Sequence, residues 1–454
     1  MATEQGRGGR GAWLGMAAPR YTSYPPANLF DGRVDADVQR AWLAAVPAGS
    51  AIGVYLHVPF CRSMCWYCGC HTGITRRPDR IAAYLEVLLA EIAATAKALA
   101  GRGRLTSIHF GGGSPSLLTI EQLGQILTAL NAIGERDPAA EVAIEIDPRT
   151  MIPGYAEGLG RLGFNRASLG VQDFDPKVQA AINRIQPRAQ VEAAVQDLRA
   201  AGITDLNFDL IYGLPHQTPA SVARTVDEAL ELGPRRVALF SYAHMPNLKK
   251  HQGLIPDETL PSSRAKLAMY LKAQRRFLKA GFTPIGMDHF AEKDDELAVA
   301  VKAGTLARNF QGYAPNPPLT VLGFGVSSIS QFREGYAQNT IDEAAYRDAV
   351  RAGQSPVYRG WTWTAEDRVR KAVIDALMCL FEVDLAAVIR RFGLASDHFA
   401  AEIARLKPLE DAGVIRRSGS QIEVVGPHRM AVRAVAAVFD AYLGSKPLAF
   451  SRVA

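Results

Sequence analysis

The stretch that decides the fold runs from Tyr55 to Cys70 and reads Tyr-Leu-His-Val-Pro-Phe-Cys-Arg-Ser-Met-Cys-Trp-Tyr-Cys-Gly-Cys. It joins an apolar segment to a loop with four of the five cysteines in the chain: Cys61, Cys65, Cys68 and Cys70. Thiolates grouped this closely bind soft metals or carry out redox chemistry more often than they fill a core. The spacing Cys-x3-Cys-x2-Cys offers three ligands from one loop. On a four-iron cluster, three thiolates leave one iron open to a small molecule.

Three other interpretations of the cysteines are weaker. A structural zinc site takes four ligands, usually in separated pairs, so Cys70, His57 or His71 would have to complete it. A thioredoxin-like pair within the loop would leave the other two cysteines unused. A disulfide framework needs more than one cluster in 454 residues, and the N-terminal sequence has no apolar run typical of a secretory leader. The fifth cysteine, Cys379, lies in an apolar run and is expected in the core.

Composition indicates an ordinary globular protein of two or three domains, with 48% hydrophobic and 21% charged residues. The net charge of +6 is too small to indicate nucleic-acid binding by itself, and it would suit a substrate with several carboxylates. The sequence has no apolar run of eighteen residues, so no membrane span is expected. We expect a cytoplasmic monomer without nucleic-acid or membrane partners.

From residue 51 onward, short β-branched segments alternate with helical ones. The predicted strands are 52–58, 105–110, 142–147, 166–171, 206–211 and 237–242. The predicted helices are 80–100, 120–133, 189–201 and 219–232. This alternation predicts βα units and a parallel sheet. Six units are fewer than the eight of a closed barrel, so a partial barrel and an open sheet both fit the pattern.

Polar residues and glycines follow these strands. They are Cys61, the run Gly111-Gly-Gly-Ser114, Glu145, Asp147, Gln172, Asp209 and Ala243. Because ligands bind at the carboxyl ends of parallel strands, we expect these residues to meet at one mouth, as in an enzyme. The glycines could form a tight turn or allow close approach to a ligand. Glu145 could pair with Arg149 or Arg166, or hydrogen-bond a polar ligand.

The two ends of the chain differ from its centre. Residues 1–48 are rich in Gly, Arg and Pro and predict an extended arm with little core of its own. Residues 359–454 predict helices at 365–380, 385–392 and 399–411, then a hairpin with strands near 414–416 and 422–425. Helices followed by a hairpin resemble a winged helix, which often binds DNA. The segment 399–411 carries three acids against two bases, which favours a packing module or lid.

The motifs together resemble the radical S-adenosylmethionine (SAM) enzymes, and more narrowly the oxygen-independent coproporphyrinogen III oxidases of haem biosynthesis. The resemblance covers nearly the whole chain. Besides the cysteine loop, the matching motifs are Arg20-Tyr-Thr-Ser-Tyr-Pro25 and the segments 163–174, 207–215, 286–291, 308–313 and 450–453. The fold that it implies is α/β. It is a partial (βα)6 radical SAM barrel over residues 49–358, with an N-terminal arm and a mainly helical, winged-helix-like C-terminal domain.

The resemblance implies that Cys61, Cys65 and Cys68 ligate a [4Fe-4S] cluster, with Cys70 as a neighbour that is not a ligand. It also implies two S-adenosylmethionine molecules side by side. The positions that match binding of the first are Tyr55, Gly112, Glu145 and Ile329. Those that match binding of the second are Tyr67, Gly113, Ser114, Gln172, Arg184, Asp209 and Ala243. Tyr67 and Ser114 stand where Phe and Thr are familiar in the family, which are conservative changes.

The implied reaction is radical chemistry that a protein cannot perform without a cofactor. A 5′-deoxyadenosyl radical would take hydrogen from the β-carbon of a propionate on coproporphyrinogen III, and loss of CO2 and one electron would leave a vinyl group. Two propionates would react, giving protoporphyrinogen IX. An unidentified electron donor is required, and Arg20 and Arg308 are candidates to bind substrate carboxylates.

Three rival functions stay open at this point. A haem-chaperone relative shares the cysteine loop but lacks Cys70 and the N-terminal motif. A second rival is another tetrapyrrole-acting radical enzyme, such as one that degrades haem by methyl transfer. The third is a zinc-dependent DNA-binding regulator that uses the winged-helix-like region.

Overall fold

Strands alternate with helices along most of the chain. A computed structural model describes residues 16–444, so the motif at 450–453 lies outside the described residues. The strands are β1 (Ser50–Val58), β2 (Phe60–Cys61), β3 (Gly73–Ile74), β4 (Gly103–Gly112), β5 (Gly134–Ile146), β6 (Arg166–Gln172), β7 (Asp205–Tyr212), β8 (Arg236–Ser241), β9 (Thr283–Ile285), β10 (His289–Ala291), β11 (Leu306–Asn309), β12 (Gly312–Pro315), β13 (Thr320–Phe324), β14 (Ile329–Gln331), β15 (Gly335–Asn339), β16 (Val357–Thr362), β17 (Glu382–Asp384), β18 (Ile415–Ser418) and β19 (Gln421–Val424).

The α-helices are α1 (Ala36–Ala44), α2 (Pro78–Leu99), α3 (Ile120–Leu130), α4 (Tyr155–Arg161), α5 (Pro176–Ala181), α6 (Arg188–Ala200), α7 (Pro219–Glu231), α8 (Ser263–Lys279), α9 (Glu296–Ala303), α10 (Glu343–Arg351), α11 (Ala365–Leu380), α12 (Leu385–Phe392), α13 (Ala400–Arg405), α14 (Lys407–Asp411) and α15 (Val432–Ala437). No helix in the described part of the chain is both long and apolar enough to span a bilayer.

Six parallel strands form the centre of one twelve-stranded sheet, in the order β1-β4-β5-β6-β7-β8. Each pairs in parallel with the strand before it, and helices cover the connections. The predicted α/β fold with six βα units is therefore confirmed. The sheet stays open, because antiparallel strands extend both sides of the parallel region instead of closing it.

A seventh parallel strand, β13, was not predicted from the sequence; it pairs with β1 on the side opposite to β4. All five of its residues are buried, so it lacks the alternation that marks a half-buried strand. Gly323 within it further weakens the signal, since glycine is depleted in strands. A Cβ there would lie 2.6 Å from the Ile329 carbonyl oxygen.

The N-terminal segment differs from the predicted extended arm with little core. It contains α1, and Tyr21 and Tyr24 are buried within a core that also includes Trp42 of α1. The Trp363 indole donates to the Tyr24 carbonyl at 3.2 Å, and the Tyr24 hydroxyl accepts from the backbone N–H of Ala441 at 3.0 Å. The aromatic residues pack this segment into the core, which its Gly and Pro content did not indicate.

The C-terminal helices surround a three-stranded sheet in the order β17-β19-β18, whereas the sequence predicted only a two-stranded hairpin. The segment 399–411 forms two short helices, α13 and α14, because Pro408 lies in the first turn of the second. Its two bases pair inside the domain: Arg405 with Glu402 at 3.1 Å and Lys407 with Asp411 at 2.6 Å. Both bases are therefore engaged in ion pairs with acids close by in the sequence.

Glu91 on α2 connects the helix to the far edge of the sheet. Its carboxylate accepts from the Gly325 N–H at 2.8 Å, the Asn339 amide at 2.7 Å and the Tyr346 hydroxyl at 2.6 Å. Burial raises the pKa of this carboxyl, while the three donors oppose that rise. A buried polar group with all its partners present holds the surrounding elements in one arrangement.

Replacement of Glu91 by alanine should lower the free energy of unfolding by at least about 3 kcal/mol, because three buried donors lose their acceptor. Urea denaturation followed by circular dichroism measures this. The control is Glu86→Ala on the exposed face of the same helix, expected to change stability by less than about 0.5 kcal/mol. Equal effects of the two variants would show that the Glu91 contacts contribute nothing specific.

Candidate active site

The carboxyl ends of the parallel strands open on a cavity of about 460 Å³. Most residues singled out from the sequence line it. These are Cys61, Cys65, Tyr67, Cys68, Gly112, Gly113, Ser114, Glu145, Gln172, Arg184, Asp209 and Ala243. Tyr55 and Ile329 line a second cavity of about 210 Å³ instead. The two cavities approach each other at Gly111, because Tyr55 of the second cavity and Glu145 of the first both lie against this glycine.

Each of the three candidate thiols accepts a hydrogen bond. The Cys61 sulfur accepts from the Thr72 hydroxyl at 3.2 Å and the Ser114 hydroxyl at 3.5 Å. The Cys68 sulfur accepts from the backbone N–H of Cys70 at 3.4 Å. Donors of this kind favour the thiolate, which is the form that binds iron.

The third thiol, Cys65, lies beside two guanidinium groups. Arg149 and Arg184 each donate to its sulfur at 3.5 Å. Both arginines also bind Asp147, at 2.7 Å and 3.2 Å. Burial alone would raise the pKa of Asp147, but the two arginines hold it below the usual value. The result is a buried group with excess positive charge next to a sulfur that must carry negative charge.

The pKa values of the remaining thiols differ for local reasons. Hydrogen bonding from Cys70 lowers the pKa of Cys68 to about 6. Burial raises the pKa of Cys61 despite its two hydroxyl donors. The thiol of Cys70 is the donor in its contact with Cys68, and its own pKa is raised for that reason. Cys70 therefore supports the thiolate of its neighbour Cys68.

The geometry does not suit a single zinc ion. Within residues 16–444, no three His, Cys, Asp or Glu side chains converge closely enough to hold one metal. His57, considered above as a fourth ligand, uses both ring nitrogens within the protein. Its Nε2 lies 2.9 Å from the His71 carbonyl oxygen, which can only accept, so Nδ1 is left to accept from the Tyr55 hydroxyl at 3.2 Å. Thiolates that bind different irons of a cluster need not converge on one point.

The loop that carries the thiols is held by its backbone carbonyls. Asn183 donates to Met64 at 2.8 Å, and Gln252 donates to Tyr67 at 3.0 Å. His251 lies 2.7 Å from the Cys68 carbonyl oxygen, and Lys249 donates to that of Cys70 at 3.0 Å. These four hydrogen bonds to the loop were not predicted. The sequence feature that could have predicted three of them is the polar run at 249–252, soon after the strand β8.

The glycines at the end of β4 and directly after it are required by protein neighbours. A Cβ on Gly113 would lie 2.6 Å from the Phe60 carbonyl oxygen, and one on Gly111 would lie 2.9 Å from Glu145 Oε1. Gly112 has φ of +115°, a conformation that residues with side chains rarely adopt. The run is therefore more than a tight turn, since it lets the chain pass directly under the cysteine loop.

Glu145 does not pair with Arg149 or Arg166, so the first of the two alternatives for this residue is wrong. Arg166 binds Glu141 at 2.6 Å, while Glu145 accepts from the Gly112 N–H at 3.1 Å and lies 3.3 Å from His109 Nε2. Burial would lower the pKa of His109, but the Glu145 carboxylate raises it. His109 was missed, although the alternation Ser107-Ile-His109-Phe indicated that it faces the same side as Gly111.

Asp209 and Gln172 line the cavity from β7 and β6. The Asp209 carboxylate accepts from Asn207 at 2.9 Å and Ser168 at 3.2 Å. Burial, and then the charge of Glu145, raise its pKa to about 6. Gln172 has φ of +69° next to a bulge between β6 and β7. Bulges and positive φ values redirect side chains and are common at functional sites.

The two arginines suggested for substrate carboxylates occupy different places. Arg20 lines the main cavity and donates to the Ser241 carbonyl at 2.9 Å. Arg308 is buried outside it, 4.4 Å from the centre of the Tyr313 ring and 3.9 Å from Asp288. The structure thus brings only Arg20 to the mouth.

Comparison with known proteins identifies the family and the fold of the chain. The model of the radical SAM superfamily matches residues 55–229, and that of the HemN C-terminal domain matches 363–424. The chain is 46% identical over 425 residues to the oxygen-independent coproporphyrinogen III oxidase of Bradyrhizobium diazoefficiens, covering 94% of each protein. It is 41% identical to the Pseudomonas aeruginosa enzyme of the same name, covering 96% of each.

A solved structure gives the same result. Coproporphyrinogen III oxidase (HemN) from Escherichia coli, described as a radical SAM enzyme, matches with a TM-score of 0.89 and 36% identity, over 93% of this chain and 97% of that one. With three thiols at the mouth of six βα units and this similarity over nearly its full length, the chain belongs to the oxygen-independent coproporphyrinogen III oxidase family of the radical SAM superfamily.

Proposed function

We propose that the protein converts two propionate side chains of coproporphyrinogen III to vinyl groups by oxidative decarboxylation, giving protoporphyrinogen IX in haem biosynthesis. The observation that carries the proposal is the hydrogen-bonded set of three thiols at a cavity lined by residues from every parallel βα unit. Family membership supplies the substrate, because the relatives are named for it. We place the reaction in the cytoplasm and the enzyme as a monomer.

The residues at the cavity fit an iron–sulfur cluster with one open iron. Three thiols have donors that favour the thiolate, and Cys70 is engaged with Cys68 instead of completing the set. When bound, the cluster and S-adenosylmethionine supply the radical that removes hydrogen from a propionate carbon. Cys61, Cys65 and Cys68 are the ligands in this proposal.

Two molecules of S-adenosylmethionine are proposed, with the site residues divided as the resemblance implies. Tyr55, Gly112, Glu145 and Ile329 hold the first, and Tyr67, Gly113, Ser114, Gln172, Arg184, Asp209 and Ala243 hold the second. Glu145 offers a carboxylate that can accept from an ammonium group. Arg184 retains a buried Nε–H with no acceptor among the described residues, which suits a ligand carboxylate. Asp209 offers a second acceptor in the cavity.

The C-terminal domain holds the N-terminal segment in place. Arg433 of α15 donates to the carbonyl oxygens of Ala18 and Pro19, the latter at 3.0 Å, and the Tyr21 hydroxyl donates to Asp440 at 3.0 Å. This fixes Arg20 at the cavity, where its guanidinium can bind one of the four substrate carboxylates.

Anaerobic incubation of iron-loaded protein with coproporphyrinogen III, S-adenosylmethionine and a chemical reductant should produce protoporphyrinogen IX and methionine. Liquid chromatography of the oxidised porphyrins measures the first product. Haem binding without turnover would contradict the proposal and indicate a chaperone. Zinc without iron or sulfide in anaerobically purified protein would contradict it in favour of a metal-dependent regulator.

Cys65→Ala should lose both iron and activity, because two thiolates cannot hold a cluster in a site built for three. The matched control in the same loop is Cys70→Ala, which keeps the backbone N–H that binds Cys68 and should retain wild-type iron content. Iron and sulfide analysis after anaerobic reconstitution distinguishes them. Full iron content in Cys65→Ala, or none in Cys70→Ala, would show that the ligand set is wrong.

Equilibrium dialysis should find two S-adenosylmethionine molecules per reconstituted chain, and Asp209→Ala should weaken only one of them. In the wild type, the affinity of that site should fall as pH is lowered through about 6, since Asp209 takes up a proton there. The control is Asp205→Ala at the other end of the same strand, which should bind as the wild type does. One molecule bound to the wild type would contradict the two-site proposal.

A further inference from the structure

A second face of the cysteine loop has no part in the proposed reaction site. A groove of about 730 Å³ lies on this face, lined by Arg62 of the loop, Arg76 and Arg149. Ser63, Asp147 and Arg149 line both this groove and the active-site cavity. Because these residues border both spaces, the groove adjoins the active-site cavity.

The groove carries a net positive charge. Its three arginines face one acid, Asp147, which is already shared by Arg149 and Arg184. Arg62 and Arg76 are exposed, and their side chains form no ion pair within residues 16–444. Asp79 does not neutralise them, since its carboxylate is bound by Arg77. Two charges are therefore available to an incoming group of opposite sign.

Two exposed isoleucines stand two residues along the chain from a residue that lines the groove or one that holds the cysteine loop. Ile152 is 59% exposed and follows Thr150 of the groove by two residues. Ile185 is 60% exposed and follows Asn183, whose side chain binds the Met64 carbonyl oxygen. Exposed apolar residues beside unpaired charges are typical of small contact surfaces with a polar rim, such as those of electron-transfer complexes.

The groove also has a short connection to a thiol. Arg149 lines its inner end and donates to the Cys65 sulfur at 3.5 Å. Electron transfer between proteins weakens steeply with distance, so an efficient donor must dock close to the cluster. The groove comes within one side chain, that of Arg149, of the Cys65 sulfur and has the charge to attract a partner.

We propose that this groove is the docking surface for an acidic one-electron carrier protein. The inference rests on the proposed function, because only a cluster held by the three thiols needs such a reductant. One electron leaves the carrier, which is oxidised by one unit, and the cluster is reduced by one unit. No bond of the chain forms or breaks and no proton is transferred. Arg62 and Arg76 attract the acidic face of the carrier, and Arg149 lies between that face and Cys65.

Stopped-flow absorbance of the reconstituted enzyme, mixed with a reduced acidic flavodoxin as the probe, measures the rate of cluster reduction. Arg62→Glu/Arg76→Glu should lower the second-order rate constant about tenfold or more at low ionic strength, with a smaller effect in high salt. Arg62→Lys/Arg76→Lys should stay within about twofold of the wild type. Arg275→Glu, which reverses one exposed charge on α8, should also leave the rate unchanged.

Two measurements keep the test independent of cluster loading and of the proposed function. Arg76 lies outside the cysteine loop, so Arg76→Glu alone should slow reduction of the cluster without changing cluster loading. Fluorescence anisotropy of labelled flavodoxin should show weaker binding to the double variant. Turnover driven by dithionite should be equal in all variants. If the charge reversals change neither the rate of cluster reduction by the carrier nor its binding, the docking proposal is overturned. Turnover with dithionite would then still support the proposed function. Failure of dithionite turnover in the wild type would instead count against the function.

Discussion

The close passage of the Gly111–Ser114 turn beneath the cysteine loop is the constraint on which the site depends. The N–H groups of Gly113 and Ser114 donate to the carbonyls of Val58 and Phe60 at 2.8 Å and 2.7 Å. These bonds continue the pairing of β1 and β4 beyond the sheet, so the loop leaves the sheet in a fixed direction. A side chain at Gly113 would collide with the Phe60 carbonyl, which makes the glycine a structural requirement for the position of Cys61.

Charge balance at the thiols follows from that position. Three thiolates close together repel one another, and burial makes their charge more costly. The chain places Arg149 and Arg184 at the most buried of them, Cys65, and hydroxyl or backbone donors at the other two. Asp147 holds both guanidinium groups in place without neutralising them, since one carboxylate serves two cations. The sulfur with the least access to solvent thus receives the strongest donors.

Much of this fold was predictable from sequence, because alternating β-branched and helical segments have few possible arrangements. All six central strands were located, and their carboxyl ends do meet. The strand β13 was not predicted, because its uniform burial removes the hydrophobic periodicity. The helix and the buried Tyr24 of the N-terminal segment were not predicted, because its Gly and Pro content indicated an extended arm. The spatial partners in the site were not predictable. Nothing local in the sequence places His109 against Glu145 or Arg149 beside Cys65, because both contacts join separate βα units.

Buried polar groups join the C-terminal domain to the N-terminal segment. Arg433 binds the backbone at Ala18 and Pro19, and Asp440 accepts from Tyr21. Arg433 is buried, and burial lowers its pKa to about 10. The buried Arg433 guanidinium fixes the segment to which the two carbonyl groups belong. That segment carries Arg20, so the C-terminal domain determines the position of a cation that lines the cavity.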